Sequence, residues 1–220
     1  MRDRFDLVIA GVGGQGNLLL SRIIGETALR ANVELQISET FGAAQRGAAV
    51  LSHVRLGKSY SSVIPLGMAD ALLALEPAEA LRQSRFLALD GLALVTVKPI
   101  MSVEVLNGRA TYPSLDVIRN LLSKLTSNLH MLDAHGLAVE AGDPRTVNIV
   151  MLGALDACGV LQLDTDDLKN SISSLVQNKM IEANLKAFDL GRAALLKHRK
   201  LELSNRARYP ETNTGIDVAA

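Results

Sequence analysis

A single cysteine, Cys158, stands in 220 residues, and that scarcity excludes a good deal. No internal disulfide can form. Nor can this chain alone hold a four-thiolate iron–sulfur cluster or a cysteine-rich zinc site, since both need several thiolates. A reducing compartment fits such cysteine usage. Net charge is equally scarce: 23 Lys+Arg balance 23 Asp+Glu, so no global field draws the chain to nucleic acid or an anionic membrane. Long apolar runs are missing too. A membrane span needs about 20 apolar residues, whereas the longest candidate, Val147 to Val160, is interrupted by Asn148, Gly153 and Asp156. It is expected as a buried helix. Met1 to Asp6 is charged and leads straight into a strand, without the apolar stretch of a secretory signal. The expectation is a soluble, cytoplasmic protein.

Catalytic signatures are also thin. The four histidines, His53, His130, His135 and His198, form no H-x-x-x-H or HExxH pair. There is no G-x-S-x-G elbow and no P-loop. Gly142-Asp143 has the opening of a thiamine diphosphate motif, but Pro144 replaces the expected glycine and no asparagine pair follows at the right distance. His53, alone in a strand, is expected to be a satisfied structural residue. Glu76, ahead of Pro77, is expected to be a helix N-terminal charge rather than a general acid. No residue is assigned as catalytic and none as a metal ligand.

What the chain has is apolar content, 48% of its residues, enough for one large domain to bury a core unaided. Strand-like and helix-like patterns alternate, which argues for an α/β layered domain. Asp6 to Ala10 is predicted as a buried strand. Gln15 to Ala31 is predicted as a helix, with Leu19, Ile23, Ile24 and Leu29 near helical spacing. Val33 to Glu39 and Ala49 to Leu56 are predicted as consecutive strands joined by a small-residue loop, Phe41 to Gly47. Two strands with no helix between them predict a mixed, partly antiparallel sheet. Further strands are expected at Ala71 to Leu75, Phe86 to Leu89, Ala93 to Val97 and Leu129 to Leu132. One helix is expected after Glu76-Pro77 and another from Pro113 through Leu125, capped by Ser114. Three helical pieces are expected between Arg145 and His198, broken at Gly159 and near Gln177-Asn178. Residues 1–203 read as one domain, and 204–220, poor in apolar residues, as a loose C-terminal tail.

The most informative stretch is Gly11-Val12-Gly13-Gly14-Gln15-Gly16, between the first strand and the first helix. Gly11, Gly13 and Gly16 fit G-x-G-x-x-G, which would set a pyrophosphate on the helix N-terminus. Glu39 stands about where a ribose-binding acid belongs. Close packing of the helix on the sheet accounts for the same glycines. The context also departs from a dinucleotide fold. After Glu39 the chain continues into a Gly/Ala loop and a strand instead of a crossover helix.

Several stretches together, GVGGQGNLLLSRIIGETALRA, SETFGAAQRGAAVLSHVRLG, ADALLALEPAEALR and EANLKAFDLGRAAL, resemble the gamma-type domain of 2-oxoacid:ferredoxin oxidoreductases. The indolepyruvate branch, with its small (beta) subunit, is the nearest in pattern. The resemblance runs from about Phe5 to Leu196. It implies a three-layer α/β/α domain around a mixed, Rossmann-like sheet. It also implies a subunit that is inactive alone and binds no cofactor. Thiamine diphosphate and iron–sulfur clusters would sit on a large alpha subunit, with coenzyme A as co-substrate and ferredoxin as electron acceptor. Contact between two copies of the chain is compatible with it. Carried over are the glycine loop, Gly11, Gly13, Gly14, Gln15 and Gly16, and a second segment, Glu39, Gln45, Arg46 and Gly47. The resemblance implies that they shape the surface facing the catalytic subunit or the coenzyme A region, Arg46 pairing with a phosphate or a partner carboxylate. Two other readings stay open: an NAD-dependent oxidoreductase built on the glycine loop, and a non-enzymatic assembly module.

Overall fold

A computed structural model describes residues 4–41 and 49–208. Six strands, β1 (Arg4–Val12), β2 (Leu35–Phe41), β3 (Ala49–Gly57), β4 (Ala69–Ala74), β5 (Leu87–Thr96) and β6 (Leu129–Leu132), form one sheet in the order β2-β3-β1-β4-β5-β6. β1, β4, β5 and β6 run parallel. β3 alone is reversed, antiparallel to β1 on one side and to β2 on the other. The adjacency of β2 and β3 therefore produces the mixed sheet expected from it. A helix α1 (Asn17–Arg30) carries the chain from β1 over to β2, and β3 then fills the gap between them.

Alternation along the buried strands sorts the helices into two outer layers. Leu7 and Ile9 of β1, Ala71 and Leu73 of β4, and Leu92 and Leu94 of β5 face one side. There they meet α1 and four more helices: α5 (Ala134–Ala141), α6 (Val147–Ala157), α7 (Thr165–Leu175) and α8 (Ile181–Arg208). Val8, Ala10, Leu72, Ala74, Ala93 and Val95 face the other side, where they meet α2 (Pro77–Gln83) and α4 (Leu115–Leu122). A one-turn helix, α3 (Val103–Leu106), buries nothing. The result is an α/β/α sandwich.

One local expectation is corrected. Phe86 to Leu89 and Ala93 to Val97 are not separate strands but one strand, β5. The intervening Asp90 adopts φ 59°, and the pairing with β4 shifts register between Ala69 and Ala71. Leu-Asp-Gly-Leu has the composition of a turn, and here it forms a bulge. Gly91 suits the bulge, because an ideal Cβ would lie 3.0 Å from the Ala88 carbonyl oxygen and 3.1 Å from that of Ala69. α5 is an addition that no expectation covered; Asp133 caps it through the Gly136 N–H at 2.9 Å. At the other end α8 continues to Arg208, so the backbone is helical across the expected start of the tail at Ser204.

The amino edge of the sheet is closed by a buried ion pair. Arg55 grips Asp6 with two hydrogen bonds of 2.9 and 3.0 Å and donates to the carbonyls of Ser61 and Val63. The loop after β3 is thereby tied to β1. His53 is satisfied as expected: its Nδ1 accepts the Ile64 N–H at 3.3 Å and its ring meets Phe86 edge-on. Burial first, and then the Arg55 charge, hold its pKa below the ordinary histidine value.

On the helical face, α6 and α8 cross at backbone contact. An ideal Cβ on Gly153 would lie 2.0 Å from the Phe188 carbonyl oxygen, and one on Gly191 would lie 1.9 Å from that of Val150. Neither oxygen belongs to a flexible side chain that can yield. Gly191→Ala is therefore expected to destabilise the chain by about 1–3 kcal/mol, even though alanine favours helix over glycine by about 1 kcal/mol. Urea denaturation measures it, and an unchanged or raised midpoint would show that the helices separate freely.

Candidate functional site

The carboxyl ends of β1, β4, β5 and β6 lie along one edge of the sheet. From β1 the chain crosses to β2 on one side, and from β4 it continues to β5 on the other. Such a switch point opens a crevice at the strand ends, where α/β sheets bind their ligands. The glycine loop occupies this point.

Its glycines differ in what they do. An ideal Cβ on Gly11 would collide with the Asn17 side chain at 2.7 Å and with that of Gln15 at 2.8 Å. One on Gly16 would lie 2.4 Å from the Asn148 amide nitrogen. These two positions are set by packing. Gly14 is different: it adopts φ 96° and has nothing within 4 Å of its Cβ position, so its backbone stands open to solvent. Gly13 and Gly14 form the turn itself.

Gln15 makes the decisive contact. The β1–β4 ladder continues up to the Leu75 N–H, which donates to the Ala10 carbonyl at 2.8 Å. Beyond it, the Val12 N–H and the Leu75 carbonyl would be left without partners as the strands part. The Gln15 amide serves both: its Oε1 accepts from Val12 N–H at 2.7 Å, and its Nε2 donates to the Leu75 carbonyl. Next to it Asn17, 3% exposed, ties α1 to the Ile9 and Val50 carbonyls. The crevice between β1 and β4 is thus bridged by protein.

Two clefts flank this bridge. The first, about 330 Å³, lies between Gly14–Gly16, Thr146, Asn148 and the segment Leu175–Met180. The second, about 360 Å³, is lined by Gly14, Gln15, Leu75, Thr96, Lys98, Ile100, His135, Pro144, Arg145 and Val147. Arg145 stands between them, forked onto Asp143 at 2.6–3.1 Å; these bonds hold the Asp143 carboxyl below its ordinary pKa. Thr96, Lys98, His135 and Arg145 carry no motif, and sequence reasoning missed them. Their common signal is position: each follows or ends a strand at the carboxyl edge, or opens the next helix.

The second expected segment is only partly described. The Glu39 carboxylate accepts the hydroxyl of Ser21 on α1 at 2.6 Å, which fastens β2 to that helix. Gln45, Arg46 and Gly47 lie outside the described residues. After them the chain re-enters the sheet at Ala49, opposite Val12. Glu76 is the N-cap of α2, its Oε2 taking the Glu79 N–H at 2.9 Å. Its Oε1 takes the Tyr112 hydroxyl at 2.6 Å; burial and this bond raise the Tyr112 pKa. Gly142 ends α5 with φ 107°, and Asp143 caps the turn after it, so that pair serves the backbone.

Among the described residues no group of three His, Cys, Asp or Glu is placed to hold a metal ion. Cys158 is half-buried, and its thiol donates to the Ala154 carbonyl at 3.4 Å. Burial pushes its pKa up to about 11. No helix among the described residues is long and apolar enough to cross a membrane.

The model of the family "Pyruvate ferredoxin/flavodoxin oxidoreductase" matches residues 6–194. The chain belongs to this family. It is 39% identical over 189 residues to the indolepyruvate oxidoreductase subunit IorB of Pyrococcus horikoshii, an alignment covering 85% of this chain and 94% of that relative. Among solved structures, the gamma subunit of a keto/oxoacid ferredoxin oxidoreductase from Geobacter sulfurreducens PCA superposes with a TM-score of 0.65 at 25% identity, covering 88% of this chain and 99% of that one. The same fold recurs within 2-oxoglutarate:ferredoxin oxidoreductase from Magnetococcus marinus, solved with 2-oxoglutarate, coenzyme A and succinyl-CoA. There the TM-score is 0.68 at 20% identity, over 90% of this chain and 32% of that one. Family membership accords with the resemblance seen in the glycine loop and in the Glu39–Gly47 segment.

Gln15→Glu removes the donor to Leu75 while keeping size and shape. It is expected to cost about 1–3 kcal/mol by urea denaturation at neutral pH. The deficit against the unmodified chain should narrow as pH falls toward about 4, where a carboxyl regains its proton and can donate. Equal stability at all pH values would show that the bridge is dispensable. Cys158, with its raised pKa, is expected to react at pH 7.5 about a hundredfold more slowly with a thiol-disulfide reagent than a free cysteine does. Prompt labelling of the folded chain would contradict its burial.

Proposed function

We propose that this chain is the small, cofactor-free subunit of an indolepyruvate-type 2-oxoacid:ferredoxin oxidoreductase. A large alpha subunit carries thiamine diphosphate and the iron–sulfur clusters in this reading. It decarboxylates an aryl pyruvate, passes the acyl group to coenzyme A and sends the electrons to ferredoxin. The observation that carries this proposal is the 39% identity to a subunit named for indolepyruvate oxidoreductase, over 94% of that relative's length. The composition supports it, since one cysteine cannot hold a four-thiolate cluster.

The carboxyl edge supports the division of labour as well. Gly14 offers an exposed backbone at the switch point, and the clefts beside it are of ligand size. In this proposal the glycine loop, together with Glu39, Gln45, Arg46 and Gly47, faces the catalytic subunit or the coenzyme A region. An NAD-dependent reading is disfavoured by Gln15, whose side chain bridges the crevice that a pyrophosphate would enter.

Affinity purification of the tagged chain from its native cell is expected to bring down a large chain containing iron and thiamine diphosphate. That complex should reduce a viologen dye with indolepyruvate and coenzyme A. The chain alone should carry neither iron nor thiamine diphosphate and reduce nothing. Dye reduction by the isolated chain, or full activity of the large subunit without it, would overturn the proposal. Tight NAD(H) binding by the isolated chain, below about 10 μM or −7 kcal/mol, would restore the dehydrogenase reading.

A further inference from the structure

We propose that the second cleft, between the glycine loop and the ends of β4 and β5, is an oxyanion-binding site built on Lys98, Thr96 and His135. It accepts the phosphate or carboxylate group of a small molecule, with an apolar wall beside that group.

Three observations point there independently of the family. The first is uncompensated charge. Among the described residues lining the cleft there are two cations, Lys98 and Arg145, and no aspartate or glutamate. Arg145 is already forked onto Asp143, so Lys98 supplies the free charge. Its ammonium donates to Nε2 of His135 at 2.7 Å. An ammonium has three donors and no acceptor, so two remain for a ligand while His135 holds the group over the cleft.

The second observation is an orphaned hydroxyl. Thr96, at the last position of β5, is 1% exposed. Its Oγ1 has no hydrogen-bond partner among the described residues. Leaving a buried hydroxyl unpaired is costly, and such groups in native structures call for an explanation. Thr96 lines the same cleft as Lys98, which stands two residues further on. A bound oxyanion between them would use both.

The third observation is the shape of the remainder. Leu75, Ile100, Pro144 and Val147 supply an apolar wall, and Gly14, with its open left-handed backbone, forms the rim. A volume of about 360 Å³ suits part of a small molecule. This site extends the proposed function without depending on it, because every group belongs to this chain whatever it assembles with.

Two sources share this chemistry: the phosphates of a nucleotide-like co-substrate and the carboxylate of a 2-oxoacid. The test uses the full chain, isotopically labelled and followed by NMR, titrated with inorganic pyrophosphate and separately with phenylpyruvate. Saturable shifts at Thr96, Lys98 and His135 are expected with at least one probe. The stronger probe then identifies the source. Lys98→Met should weaken that binding by about tenfold or more, with the spectrum elsewhere unchanged because Lys98 is exposed. Lys98→Arg should retain most of it. No saturable shift with either probe up to about 10 mM, or undiminished binding in Lys98→Met, would overturn the site. Failure to co-purify with a cofactor-bearing chain would leave these shifts in place, so the two proposals fail separately.

Discussion

The organisation of this domain turns on one side-chain amide. Where β1 and β4 part, two backbone groups lose their strand partners, and Gln15 supplies a donor to one and an acceptor to the other. Buried backbone groups are nearly always paired, so a crevice at a switch point needs either a ligand or a protein group in that place. Here the protein provides it. The turn that delivers Gln15 needs a left-handed residue at Gly14 and room for the amide beside Gly11. Gly11 and Gly14 are thus explained largely by a glutamine, Gly16 is set by Asn148, and the open space is displaced to the clefts on either side.

Much of this was legible in the sequence. The strand, glycine loop and helix at the start follow from local pattern, as do the breaks at Gly159 and near Gln177 that separate α6, α7 and α8. The reversed strand was legible because helical spacing is missing between Glu39 and Ala49, and a short connection cannot cross the sheet. Less legible was β5, since Asp90-Gly91 has the composition of a turn and only the neighbouring strand reveals a bulge. α5 was hidden because an eight-residue helix with few large apolar residues leaves little periodicity to detect.

The cleft residues were not legible, for a different reason. Thr96 and Lys98 stand at the end of one strand, whereas His135 and Arg145 come from later segments, and the three segments meet only because parallel strands end along one edge. No spacing rule connects them. Glu39 shows the converse. Its distance from the glycine loop suggested a ribose acid, yet the fold gives it the Ser21 hydroxyl on the helix in between. Sequence separation placed it on the right strand and did not identify its partner.

The glycine pair where α6 meets α8 has a mechanical consequence. A helix packed through side chains can slide along its neighbour by exchanging rotamers. Where the backbones themselves touch, at Gly153 and Gly191, no side chain can yield, so the axial position of α8 is fixed there. The 28 residues of α8 make a rod about 40 Å long, and Asn184 near its start forms part of the first cleft. The wall of that cleft is therefore positioned from the helical layer behind the sheet, through a joint where two glycines let the backbones of α6 and α8 touch.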